Sequence, residues 1–265
     1  MTPLHQPVGI FDAGIGSYAI VERVRAHFPQ QDILYLADRA SFPYGAKTPA
    51  ELLDAVGAAT RYLLGQGCAA VILASNAPSI VVLEALRAEV DAPIIGVFPP
   101  VGDALAASSS KQVAVLGVKS MVTSQAMHDY VARERQDAGE VALINASPLV
   151  DLVENFAFLR DPDGTQQAVG RFMAELLQAE PHIDVMTLSS THLPWLRPFF
   201  ERAAPRVTFL DPADSVLDQL RPYNTSGAGI TRCVATETAA LTLTDFNAAL
   251  AALGSPLRAT LTTSP

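Results

Sequence analysis

Four short segments hold the polar residues best placed for chemistry. Asp12-Ala13-Gly14-Ile15-Gly16-Ser17 follows an apolar run, and its glycines allow a tight turn and close backbone approach to a ligand. The third glycine of a dinucleotide-binding fingerprint is missing, so the nucleotide signal is weak. Asp12 suits orienting a base or meeting an ammonium group, although a plain helix N-cap is the commoner use of such a residue. Pro43-Tyr44-Gly45 forms a turn whose N–H groups can face an anion, or simply a turn with a packed tyrosine. Ser75-Asn76-Ala77-Pro78-Ser79 and Ser189-Ser190-Thr191-His192-Leu193-Pro194 each follow an apolar run and precede a helical segment. Ser and Asn at such places are also preferred caps. His192, beside Ser190 and Thr191, is an acid–base candidate. Nothing local separates Glu154 from an ordinary surface helix residue.

These segments need strands to carry them. Apolar runs at residues 8–12, 33–38, 69–74, 94–97, 113–118, 141–145, 184–188 and 207–210 predict strands, and most are continuous rather than alternating. Continuous runs belong to strands covered on both faces. Helical periodicity at 49–64 and 79–89 separates some of them. Strands alternating with helices predict an α/β fold with parallel sheets. Ligands in such sheets bind beyond the carboxyl ends of strands, where Ser75 and Ser190 fall in matched units; two such ends facing each other would make a cleft. Proline-bearing stretches at 97–100 and 205–212 are the candidate crossings between domains. They predict one domain of residues 1–97 plus 208–265, carrying Asp12, Tyr44 and Ser75. The other spans 98–207 and carries Glu154, Ser190 and His192.

Composition narrows the function. The 265 residues are 49% hydrophobic and 17% charged, which suits a chain with real cores and not a disordered one. A formal net charge of -9 argues against a nucleic-acid partner, since phosphates need Lys and Arg. It leaves room for an anionic small molecule held by backbone N–H groups. Two cysteines, Cys68 and Cys233, form no disulfide framework and no zinc-ligand spacing, so no metal site is expected. No apolar stretch reaches membrane-spanning length, and the opening MTPLHQPVGIFD does not read as a signal peptide. A cytoplasmic protein is the expectation.

Taken in order, the segments resemble one family. Phe11-Asp12-Ala13-Gly14-Ile15-Gly16 is similar to the F-D-S-G-V-G that opens the cofactor-independent glutamate racemases. The stretch from Ala37-Asp38 to Phe42-Pro43-Tyr44-Gly45 resembles their A-D-T-A-x-F-P-Y-G. Ser75-Asn76-Ala77-Pro78-Ser79 stands where they have C-N-T-A-S. Ser147-Pro148-Leu149, followed by Leu152-Val153-Glu154, resembles their C-P-L and L-V-E. Ser189-Ser190-Thr191-His192-Leu193-Pro194 stands where they have G-C-T-H-Y-P, and Asp211-Pro212-Ala213 resembles their D-P-A. On these motifs the chain is identified as a member of the family.

The resemblance implies two similar parallel-sheet α/β domains with a ligand cleft between them. It also implies inversion of glutamate at the α-carbon without pyridoxal phosphate or any other cofactor, a reaction that supplies D-glutamate for peptidoglycan. In the family one cysteine thiolate removes the α-proton and a second thiol returns a proton to the other face. Those positions are Ser75 and Ser190 here. Asp12 and His192 match the residues that assist the two sulfurs, and Glu154 joins the catalytic set. Asn76 and Thr191 match residues that hold the amino and α-carboxylate end. The Pro43-Tyr44-Gly45 turn matches the grip on the side-chain carboxylate. A homodimer is also implied.

The departures are not confined to two sulfurs. Ala13 replaces a serine, Ala77 and Pro78 replace Thr-Ala, Met121 stands for a threonine at the α-carboxylate, Ser147 for a cysteine and Ser189 for a glycine. Scattered changes favour natural divergence over an engineered pair of substitutions. A cysteine thiol ionises near about 8.5, and a site can lower that further; an aliphatic alcohol cannot stand as an alkoxide base. Racemisation is therefore expected to be very slow or lost. The alternatives are a small-carboxylate-binding or regulatory paralogue, or redirected chemistry at Ser190 and His192 such as hydrolysis.

Overall fold

The structure is a computed structural model that describes residues 3–262. Met1, Thr2 and residues 263–265 lie outside it, and with them the outer ends of the expected first domain. Among the described residues ten strands run in chain order: β1 (Val8–Asp12), β2 (Ile33–Ala37), β3 (Ala70–Leu73), β4 (Ile94–Gly96), β5 (Gln112–Gly117), β6 (Glu140–Asn145), β7 (Val185–Leu188), β8 (Thr208–Leu210), β9 (Thr231–Ala235) and β10 (Ala259–Leu261). They form two sheets with the orders β10-β9-β2-β1-β3-β4 and β6-β5-β7-β8. All the pairings are parallel, as the helical crossovers require.

The described chain divides into two compact units, 3–97 with 213–262, and 98–212. The return crossing expected at residue 208 falls at 213 instead. The reason is β8: Thr208, Phe209 and Leu210 pair with Val185, Met186 and Thr187 of β7, so this strand completes the second unit's sheet. Both units match the α/β architecture read from the sequence.

In the first unit the core is built from continuous apolar strands. Val8, Ile10 and Phe11 of β1, the whole of β2 and the whole of β3 are buried. The helix Pro49–Gly65 crosses from β2 to β3. Its start is fixed by a capping box, in which the Thr48 N–H donates to Glu51 and the Thr48 hydroxyl accepts from the Glu51 N–H, with proline at the first helical position. Leu52, Val56, Ala59 and Leu63 turn inward. The expected single helix at 79–89 is two, Asn76–Val81 and Leu83–Glu89, broken at Val82. The β-branched run Ile80-Val81-Val82 resists helical packing, which is where the helix gives way. Strands β9 and β10 have no counterpart among the predicted strands: one opens with Thr231-Arg232 and the other has three residues, too little for a local pattern.

In the second unit β5 and β7 are buried in the middle of the sheet, while β6 at the edge is half-exposed and ends in exposed residues. The helix Pro162–Ala179 packs Val169, Met173 and Leu176 inward. Among the described residues no helix is long and apolar enough to cross a membrane.

Candidate active site

Strand order puts the ends of β1 and β3 side by side in the first unit, with the chain leaving β1 for β2 on the other flank. Such a reversal opens a crevice at the carboxyl ends. Asp12 ends β1 and is 4% exposed; its carboxylate accepts the Ala13 N–H at 2.7 Å. Ala13 is buried, and its carbonyl accepts from the Arg39 guanidinium at 2.7 Å.

Beyond β3, Ser75 has extended backbone and stands before the helix Asn76–Val81, but its hydroxyl caps nothing. Asn76 is 3% exposed. Its Nδ2 donates to the Val97 carbonyl at 3.2 Å, while its Oδ1 is buried without a partner in the protein. A buried acceptor left open costs free energy that a ligand donor would recover. Ala77 is half-buried and brings no polar group. Ser79 braces the turn: its hydroxyl donates to the Ser75 carbonyl at 2.7 Å and accepts the Val97 N–H at 2.9 Å.

The turn expected to grip a carboxylate has an inward and an outward part. Tyr44 is buried and its hydroxyl donates to Asp38 Oδ2 at 2.9 Å, while Pro43 and Gly45 are exposed. Burial, and then the Asp38 carboxylate, push the Tyr44 phenol well above its ordinary value, so it stays protonated and anchored. What the turn offers a ligand is therefore backbone, not the phenol. Asp38 also accepts from Thr236 Oγ1 at 3.2 Å. The sequence placed Asp38 in a motif but gave it no role, because Thr236 follows the unexpected strand β9.

In the second unit Ser190 and Thr191 emerge from β7. Ser190 Oγ lies 3.4 Å from His192 Nδ1, and His192 Nε2 lies 2.6 Å from Glu154 Oε1. Ser190, Thr191 and His192 are all buried, and the Glu154 side chain is 15% exposed. A carboxylate only accepts, so a proton on Nε2 serves the Glu154 contact, and Nδ1 faces the Ser190 hydroxyl. Glu154 ends the helix Ser147–Glu154, whose first residue is itself pinned: Ser147 Oγ accepts the Lys119 N–H at 2.8 Å and the Ser147 N–H donates to Asn145 Oδ1 at 3.0 Å. The Ser189 hydroxyl is tied to Thr187 Oγ1 at 2.8 Å. Met121 is fully buried with its methyl against Gly117, and so serves packing.

The fold is found in known proteins. The sequence profile of the Asp/Glu/Hydantoin racemase family matches residues 18–220. The chain belongs to that family. Within it, the chain is 32% identical to the glutamate racemase of Trichodesmium erythraeum over 211 residues, 79% of this chain and 76% of that protein. It is 33% identical to the glutamate racemase of Methylococcus capsulatus over 227 residues, covering 83% and 80%. The fold of this racemase-family chain is that of glutamate racemase isoform RacE1 from Bacillus anthracis, with a TM-score of 0.83, 21% identity and 97% of each chain covered. Escherichia coli glutamate racemase, solved with L-glutamate and the activator UDP-MurNAc-ala, superposes with a TM-score of 0.82 at 22% identity over 98% of this chain and 100% of that one.

Proposed function

We propose that this racemase-family chain binds an acidic amino acid or a related small dicarboxylate and inverts it very slowly or not at all. The observation that carries this reading is the end of the proton relay. Glu154 and His192 are assembled, but they end on the hydroxyl of Ser190. Inversion needs a base on one face of the α-carbon and an acid on the other. An aliphatic hydroxyl is a poor proton donor, and the Ser75 hydroxyl, which caps nothing, is no better as a base. Binding is supported by the open Asn76 Oδ1, an acceptor suited to an ammonium, and by the exposed backbone at Gly45. On this reading the chain holds a metabolite of the D-glutamate kind without being a source of D-glutamate for peptidoglycan.

The test is incubation with L-glutamate, D-glutamate or L-aspartate in deuterium oxide, following the α-proton by NMR, with thermal unfolding recorded alongside. The expected result is a raised Tm with glutamate and no exchange above the blank. Exchange at an enzymatic rate would sink the reading.

A second reading rests on the carboxylate behind the histidine. Glu154, His192 and Ser190 are ordered as in a hydrolase relay, with Ser190 Oγ as nucleophile and Nδ1 taking its proton. A fluorophosphonate probe separates the readings: stable labelling of Ser190 that is lost in His192→Ala favours hydrolysis, and absence of labelling leaves the binding reading in place.

A further inference from the structure

Arg39 sits on the turn after β2, next in the sheet to the strand that ends in Asp12. It is 8% exposed, so its guanidinium lies in the interior. A buried cation is costly unless its surroundings compensate. The guanidinium carbon lies 4.9 Å from the ring centre of Phe42 and 5.9 Å from that of Phe246, and Nη1 donates to the Ala13 carbonyl at 2.7 Å. The Ala13 N–H donates to Asp12 Oδ1 at 2.7 Å. Ala13 is thus held at one end by an anion and at the other by a cation. The two strand exits are also tied together, since the Asp38 N–H donates to the Asp12 carbonyl at 2.8 Å. The Tyr35 phenol, raised mainly by burial, feels both charges: Asp12 pushes it up and Arg39 pulls it down.

We propose that Arg39 is a positioning residue, which through the Ala13 carbonyl fixes the direction of the Asp12 carboxylate and so presets the exit of β1 for an amino-acid ligand. The ligand half of this statement rests on the reading that the chain binds an acidic amino acid; the backbone half does not. A planar fork directed at one carbonyl is not reproduced by a lysine ammonium, so charge and geometry can be separated.

The experiment compares wild type with Arg39→Gln and Arg39→Lys. Amide exchange at Ala13 and Gly14, glutamate titration calorimetry and Tm are measured on each. In Arg39→Gln those two amides are expected to exchange about tenfold faster or more while the interior of β1 stays protected. The glutamate Kd rises by about tenfold or more, and by less in Arg39→Lys, which keeps the charge. Unchanged exchange at Ala13 and Gly14 overturns the proposal. So does a loss of affinity that is equal in both variants and merely follows the loss of Tm. If wild type binds no glutamate, the functional reading fails and the exchange data alone decide the role of Arg39. If Arg39→Gln does not fold, Arg39→Lys decides by the same exchange readout, with faster exchange at Ala13 and Gly14 expected and unchanged exchange overturning the proposal.

Discussion

At Ser190 the reacting atom that faces His192 is a hydroxyl oxygen, and this limits what the residues behind it can do. His192 and Glu154 meet at 2.6 Å, so a paired imidazole stands behind that hydroxyl. The chain has two sulfhydryls, and neither is placed to act as a reactive thiol. Cys68 and Cys233 are buried and free, and burial pushes both thiols up to about 12. They stay protonated and shielded at neutral pH. In the native protein at pH 8, Ellman's reagent is expected to titrate almost no thiol over minutes, and both thiols on unfolding in guanidinium. Rapid reaction of either cysteine in the native state would show that one is reachable as a nucleophile. Asp12, Ser75 and Ser190 could be picked out one by one as candidates, because each lies just past an apolar run, whereas Glu154 could not. Nor could partners: Val97 for Asn76 and Thr236 for Asp38 are fixed by strands meeting in space.

At the scale of elements, the exit of β1 depends on how closely β1 lies against the helix Pro49–Gly65. A Cβ on Gly9 would meet Leu63 Cδ1 at 3.0 Å, Leu63 Cβ at 3.1 Å and the Cys68 sulfur at 3.2 Å. Gly9→Val forces two more methyl groups into that contact and is expected to cost about 2 kcal/mol or more, read by urea unfolding. The segment leading into β9 is held differently. Burial raises the Asp32 carboxyl, but the N–H groups of His5, Ile230, Ala228 and Gly229 outweigh it and hold the carboxyl below its ordinary value. A carboxyl depressed on folding contributes stability that is present above its unfolded pKa of about 3.9 and is lost as pH falls through the folded value. Unfolding free energy is therefore expected to decline below about pH 4, and Asp32→Asn to flatten that decline while lowering stability at pH 7. A variant whose pH profile parallels wild type would remove Asp32 from this role.

At the scale of the whole molecule, the second unit is one continuous stretch, 98–212, whereas the first is assembled from two. Its core has its own sheet, with Val113, Val115, Leu116, Val185, Met186, Leu188 and Phe209 buried, and β8 closes that sheet before the chain leaves. A fragment of residues 98–212 is expected to fold alone, with a cooperative thermal transition and dispersed amide signals. A fragment stopped at 207 loses β8 and is expected to aggregate or melt without a transition. Equal behaviour of the two would show that β8 is dispensable to the unit.

The amino-acid sequence alone determined the fold class, the order of the main strands and the membership of the racemase family. Those rest on local patterns: continuous apolar runs, caps and turns repeat within a few residues and are read without knowing what they touch. Only the tertiary structure decided that the chain returns to the first unit at 213, because that turns on β8 choosing β7 as its neighbour. It also set Glu154 against His192, 38 residues away, and Arg39 against the turn that follows Asp12. Pairings of that kind follow from which strands and helices pack together, and single residues such as Glu154 carry no local mark of them.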